Sequence, residues 1–217
     1  LALSSSPPQS TSERLQLSGE AVRLARASGD FETLALALVA RHAVLFGPDH
    51  HEERCAIAEE LRNRAAAARD RQFEMRAYAL QIINAYELGD IRAADLAIHS
   101  HLQLATQTGD PFDQWCSIAW QGMRWALEGR FDAALRCAEN AANLTNRTQG
   151  IQSFDFNGPT VYLGHVLLNR LAQGEDISVE VVEEYRARYP EVTAWRTAPL
   201  YAFVCTRRVN EVRLELE

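Results

Sequence analysis

Two stretches of this chain, Arg71 to Asp110 and Pro111 to Gly150, read as one two-helix unit written twice. Gly89 and Gly129 stand 40 residues apart, with Gly109 midway between them. They occupy the joints Glu87-Leu88-Gly89-Asp90-Ile91 and Leu127-Glu128-Gly129-Arg130-Phe131. A fixed period of this length constrains the fold more than any other feature. A lone helix pair cannot bury its apolar face, so successive pairs stack and share a continuous core. The expected fold is all-α: a right-handed superhelical solenoid of antiparallel helix pairs with a period of about 40.

Laying one unit over the other matches Ile91 with Phe131, Ala94 with Ala134, Ile98 with Ala138 and Leu104 with Leu144. Phe31 to Asp70 fits the same frame, with Gly47-Pro48-Asp49 in its turn. Apolar spacing then predicts helices from Ser12 to the Ser28-Gly29-Asp30 stop, and over Phe31–Phe46, His50–Arg69, Arg71–Leu88 and Ile91–Thr108. Further helices are expected over Phe112–Glu128, Phe131–Asn146, Val161–Ala172 and Val179–Arg188, and from near Thr193 towards Val209. Asp49, followed three residues on by Glu52, has the form of a capping box. Gly129 should take the left-handed conformation that closes a helix. Trp125 is expected in the core, and Trp120 in the next interface or at a groove edge. Residues 1–11, rich in serine and proline, read as a flexible lead-in, and 12–217 as a single repeat domain. Gly174 follows Gly129 by 45 residues, which places an irregular insertion near Phe154-Asp155-Phe156-Asn157-Gly158. The opening leucine points to a fragment or a processed chain.

The chemistry that the sequence excludes is informative. Its 29 acidic residues outnumber 22 basic ones, for a net charge of −7, which argues against direct contact with nucleic acid. All the basic residues are arginine, so these 217 residues hold neither a phosphate-loop lysine nor a Schiff-base lysine. Cys55, Cys116, Cys137 and Cys205 form no C-x-x-C pair, and read as small apolar residues of a reducing compartment. No cofactor is expected. The run Asp49-His50-His51-Glu52-Glu53 resembles a metal site, but adjacent histidines on a helix point about 100° apart, so it reads as a solvated helix start. No leader and no membrane-length apolar run is visible, so a cytoplasmic location without membrane contact is expected.

Aligned first helices bring polar residues into register. Arg41, Gln81 and Gln121 share one position, and Val44, Asn84 and Arg124 another. Successive pairs would line these up along a concave face. Arg41, Gln81, Asn84, Gln121 and Arg124 are therefore the candidate binding residues, with Trp120 at the edge and Phe154 and Asn157 as a wall.

At Gly122, Trp125, Gly129, Phe131, Ala134, Ala138 and Ala141 the chain resembles a tetratricopeptide repeat, although that family's period is shorter. A longer-helix variant fits more of the chain. Ala40-Arg41-His42, Leu45-Phe46-Gly47-Pro48-Asp49-His50, Glu53-Arg54, Tyr86-Glu87-Leu88-Gly89-Asp90, Glu128-Gly129-Arg130-Phe131 and Ala194-Trp195-Arg196 resemble the repeat region of LuxR-type, maltose-regulator-like ATPase transcription regulators and of related cyclase-linked regulators. That resemblance implies a non-catalytic regulatory module that binds a small inducer or a protein partner. Two other readings stay open. One is a solenoid enzyme with Asp155, His165 and Glu175 near the insertion. The other is a scaffold that pairs with a second copy of itself.

Overall fold

Aspartates and left-handed residues punctuate the chain. Asp30, Asp70, Asp90 and Asp110 each accept hydrogen bonds from backbone N–H groups one turn into the following helix, at 2.8–3.1 Å. Such a carboxylate satisfies N–H groups that have no partner within the helix and offsets the positive helix end. The residue before each aspartate has positive φ: Gly29 at 72°, Arg69 at 57°, Gly89 at 70° and Gly109 at 68°. One left-handed residue ends a helix and the next residue starts another, so two residues reverse the chain. Gly129 adopts φ 74°, as expected, and Arg130 follows it in place of an aspartate.

The computed structural model describes residues 11–46, 48–147, 164–175 and 178–188, together with positions 203, 204, 208, 210, 212 and 213. Among these residues the protein is all-α, with no strand. The helices are α1 (Thr11–Ser28), α2 (Phe31–Val44), α3 (His51–Ala68), α4 (Arg71–Leu88), α5 (Ile91–Thr108), α6 (Pro111–Leu127), α7 (Phe131–Arg147), α8 (164–172) and α9 (Val179–Arg188). None of the described helices is long and apolar enough to cross a membrane. The expected insertion near Phe154 lies outside the described residues, and of the helix expected from near Thr193 towards Val209 only positions 203, 204 and 208 are described.

The chain divides into two compact units, Leu1–Ser117 and Ile118–Glu217, with the division inside α6. In the first unit each helix from α1 to α5 packs on the next. Contacts fix their directions. Arg41, late in α2, reaches Ser18 in the first half of α1 at 3.0 Å. Arg54, early in α3, meets Glu87 at the end of α4. Met75, early in α4, shares a cluster with Leu104 and Ala105 near the end of α5. These neighbours therefore run antiparallel. The main core joins Val22 of α1, Leu34 and Leu38 of α2, Ile57 and Leu61 of α3, and Ala77 and Leu80 of α4. Phe31 and Phe73 meet edge to face across its rim, with centroids 5.6 Å apart.

In the second unit Gly122 allows α6, α7 and α8 to converge. A Cβ there would stand 3.0 Å from the Cys137 Cβ and 3.2 Å from Nδ1 of His165. Val179, Val182 and Phe203 form a smaller core with Leu167, Leu171 and Val212.

Two local expectations are corrected. Pro48–His50 forms a 3₁₀ turn, which leaves His50 rather than Asp49 at the start of α3, with no side-chain cap bond. Glu53 of the first turn is instead engaged by Arg41 at 2.9 Å. Among the described residues the buried tryptophan is Trp115, at 5% exposure. Trp125 is only half-buried, because it lies in the last turn of α6, where the Arg130 guanidinium covers one ring face at 5.1 Å.

Candidate functional site: the α3–α4–α5 groove

A buried arginine anchors the first unit. Arg54 is fully buried on the apolar stripe of α3, in register with Ile57, Ala58 and Leu61. Its guanidinium pairs with Glu87, donates to Oδ1 of Asn84 at 2.9 Å and lies 5.1 Å from the Phe46 ring centroid. A buried cation costs several kcal/mol unless it is paired and hydrogen-bonded, and these partners supply that compensation. Asn84 Oδ1 also lies 2.9 Å from Nε2 of His42. Arg54 can only donate, so the Asn84 oxygen is the atom shared and His42 donates from Nε2. Burial lowers the His42 pKa, as does Arg54 nearby, while the Asn84 bond and Glu87 oppose the shift.

Asn84 belongs both to this network and to the wall of a groove of about 460 Å³ between α3, α4 and α5. That size is in the range of small-ligand sites. Ala58 and Arg62 of α3, Tyr78 and Gln81 of α4, and Ala93 and Ser100 of α5 line it, with Leu88 and Leu96 exposed at its rim. Two donors in this lining have no acceptor. Asn84 is 3% exposed and its Nδ2 is unpartnered, and so is the buried Nε of Arg62. Arg62 uses Nη2 on Asn63 at 3.1 Å. Unpartnered buried donors are uncommon in folded proteins and call for an explanation.

A second, smaller groove of about 270 Å³ lies between α1, α2 and α3. Its lining stands almost residue for residue 40 positions earlier in the sequence: Gly19, Val22, Leu38 and Arg41 there, Glu59, Arg62, Tyr78 and Gln81 in the larger groove. The smaller groove is strapped by two ion pairs, Arg26–Glu60 at 2.6 Å and Arg41–Glu53 at 2.9 Å. The counterparts of Arg41 and Glu53 are Gln81 and Ala93, and those of Arg26 and Glu60 are Ala66 and Ser100. Neither pair of counterparts can form a salt bridge, so the larger groove carries no equivalent strap.

Cys55 also lines the groove, with Sγ 3.1 Å from Nε2 of His51. Burial raises the thiol pKa above its ordinary value, so the sulfur remains protonated at neutral pH. A thiol in that state is a poor nucleophile. Cys116, pushed up to about 12 by burial, and Cys137, also raised by burial, are equally inert. Among the described residues no three potential metal ligands come together, the run from Asp49 to Glu53 included.

The candidate residues read from the sequence divide between the two units. Gln81 and Asn84 come together in the groove. Arg41 is committed to Glu53, Ser18 and the Leu15 carbonyl. Ala77 and Ser117, one helical turn before Gln81 and Gln121, are buried. In the second unit Gln121 and Trp120 are half-buried, and Arg124 pairs with Glu128 at 3.0 Å. Phe154, Asp155 and Asn157 lie outside the described residues. His165 is buried beside Gly122, and Glu175 is exposed beside Arg170. Sequence reasoning missed Arg62, the cavity and the buried network. The signal for the network was Arg54 itself, an arginine at a core position of the α3 stripe.

No family model matches the chain, and no curated protein matches it.

Proposed function

We propose that the chain is a non-catalytic interaction module whose α3–α4–α5 groove holds a small inducer, and that it serves within a cytoplasmic transcription regulator of the kind its repeat pattern resembles. The observation that carries this reading is the groove itself. It is unstrapped where its counterpart one interval earlier is strapped, and two buried donors in its lining lack acceptors. The 40-residue interval between the two linings, together with Asp30, Asp70 and Asp110 at the same interval, supports stacked helix pairs as the architecture. Each helix of the groove comes from a packed, capped hairpin. Ligand binding there would couple α3 to α5, and rigidifying such an array is a physical route to signalling.

A thermal-shift screen of small metabolites and short peptides on the whole chain tests this. Compounds that raise the melting temperature are expected to perturb amide resonances of Arg62, Gln81 and Leu96. Stabilising compounds that perturb only other residues, or chemical turnover of any compound, would contradict it.

A further inference from the structure

The α3–α4–α5 groove differs from its strapped counterpart in where its charges stand. In the smaller groove the chain supplies both halves of each ion pair: guanidinium groups from Arg26 and Arg41, carboxylates from Glu53 and Glu60. In the larger groove both carboxylate positions are lost, to Ala93 and Ser100. A guanidinium nevertheless enters at Arg62, where the smaller groove has Val22. The donors left over are Nε of Arg62 and Nδ2 of Asn84, and no buried acceptor of the lining is left over with them. What these two donors lack is an oxygen acceptor.

We propose that the groove takes an amphiphilic monocarboxylate, its carboxylate received by Arg62 and Asn84 and its apolar body lying along Tyr78, Leu88 and Leu96. This rests on the reading of the groove as a binding site and names the class of ligand. Arginine matches a carboxylate with paired donors in a planar fork, and a charge-assisted bond is roughly twice as strong as a neutral one. Leu88 and Leu96, 63% and 72% exposed, provide apolar surface for a chain of methylene groups. Glu59 and Asp90 also line the groove. With Arg62 they leave the lining one negative charge in excess, which disfavours a polyanion such as a nucleotide far more than a single carboxylate held directly by the Arg62 guanidinium.

The test uses the whole ¹⁵N-labelled chain and three probes of equal chain length: octanoate, octanol and octylammonium. Octanoate is expected to shift the amides of Arg62, Gln81, Asn84 and Leu96 in a saturable way. Octanol should bind at least tenfold more weakly, and octylammonium should leave these amides unmoved. Arg62→Gln should weaken octanoate about tenfold and leave octanol unchanged. Ala93→Glu, which places a carboxylate in the groove without touching Arg62, should weaken octanoate as well and guards against a misfolded first variant. Equal affinity for octanoate and octanol at these amides would overturn the carboxylate and leave the groove as a binding site. No shift at these amides with any of the three would overturn the groove's role along with it.

Discussion

Three histidines are buried neutral, and they give the fold a defined response to acid. His101 is 2% exposed, and burial lowers its pKa to about 4. Its Nδ1 lies 2.7 Å from Ser117 Oγ, whose own proton goes to the Asp113 carbonyl, so the imidazole donates. His42 and His165 are lowered as well, each chiefly by burial. A histidine whose folded pKa is depressed binds more protons when the chain unfolds. Its stabilising contribution is complete above the unfolded pKa of about 6.5 and is lost as pH falls towards the folded value. Urea midpoints should therefore drop between pH 7 and pH 5, as the unfolding free energy falls by up to about 1.4 kcal/mol per pH unit for each such histidine. An unchanged midpoint over that range would contradict the burial of all three. Gly122 makes a second prediction of this kind. A methyl group there meets Cys137 and the His165 ring, so Gly122→Ala should cost about 1–3 kcal/mol in chemical denaturation through overpacking. At Gly129, where no atom would be met, the cost is confined to positive-φ strain of about 1 kcal/mol.

Helix limits were legible because they depend on local chemistry. Arg71–Leu88, Ile91–Thr108 and Val179–Arg188 match the limits read from apolar spacing, and α7 differs by one residue. Glycine followed by aspartate marks a reversal at 29, 89 and 109, and Asp70 makes the same cap after Arg69. The Asp49 cap was misjudged because Pro48 opens a 3₁₀ turn that carries Asp49 one position ahead of the helix start. The contrast is testable. Asp70→Ala removes an acceptor from two N–H groups and should cost about 1 kcal/mol. Asp49→Ala should leave the melting temperature within error. Equal losses in the two variants would overturn this account of the caps. Trp125 and Asn84 show the other limit of element-level reading. Both stand at positions where a repeat alignment assigns a face, yet Arg130 half-covers one and Arg54 draws the other inside. Those outcomes depend on residues from a turn or from a neighbouring helix.

Across the first unit as a whole, corresponding positions line two grooves, one between α1, α2 and α3 and one between α3, α4 and α5. Repeated linings let a strapped groove and an open one occur in a single chain, and the difference rests on a few side chains. The sequence carried the all-α class, and Gln81 and Asn84 as polar residues of interest. It did not carry the cavity, which needs three helices in contact, or the unpartnered donors, which need the network around Arg54. The strap itself offers the direct test. Gln81→Arg with Ala93→Glu rebuilds, in the α3–α4–α5 groove, the pair that Arg41 and Glu53 make one interval earlier. The measurement is octanoate affinity by amide titration, alongside the melting temperature. The account predicts at least a tenfold loss of binding with the melting temperature unchanged or raised. Wild-type affinity in a folded double variant would contradict it.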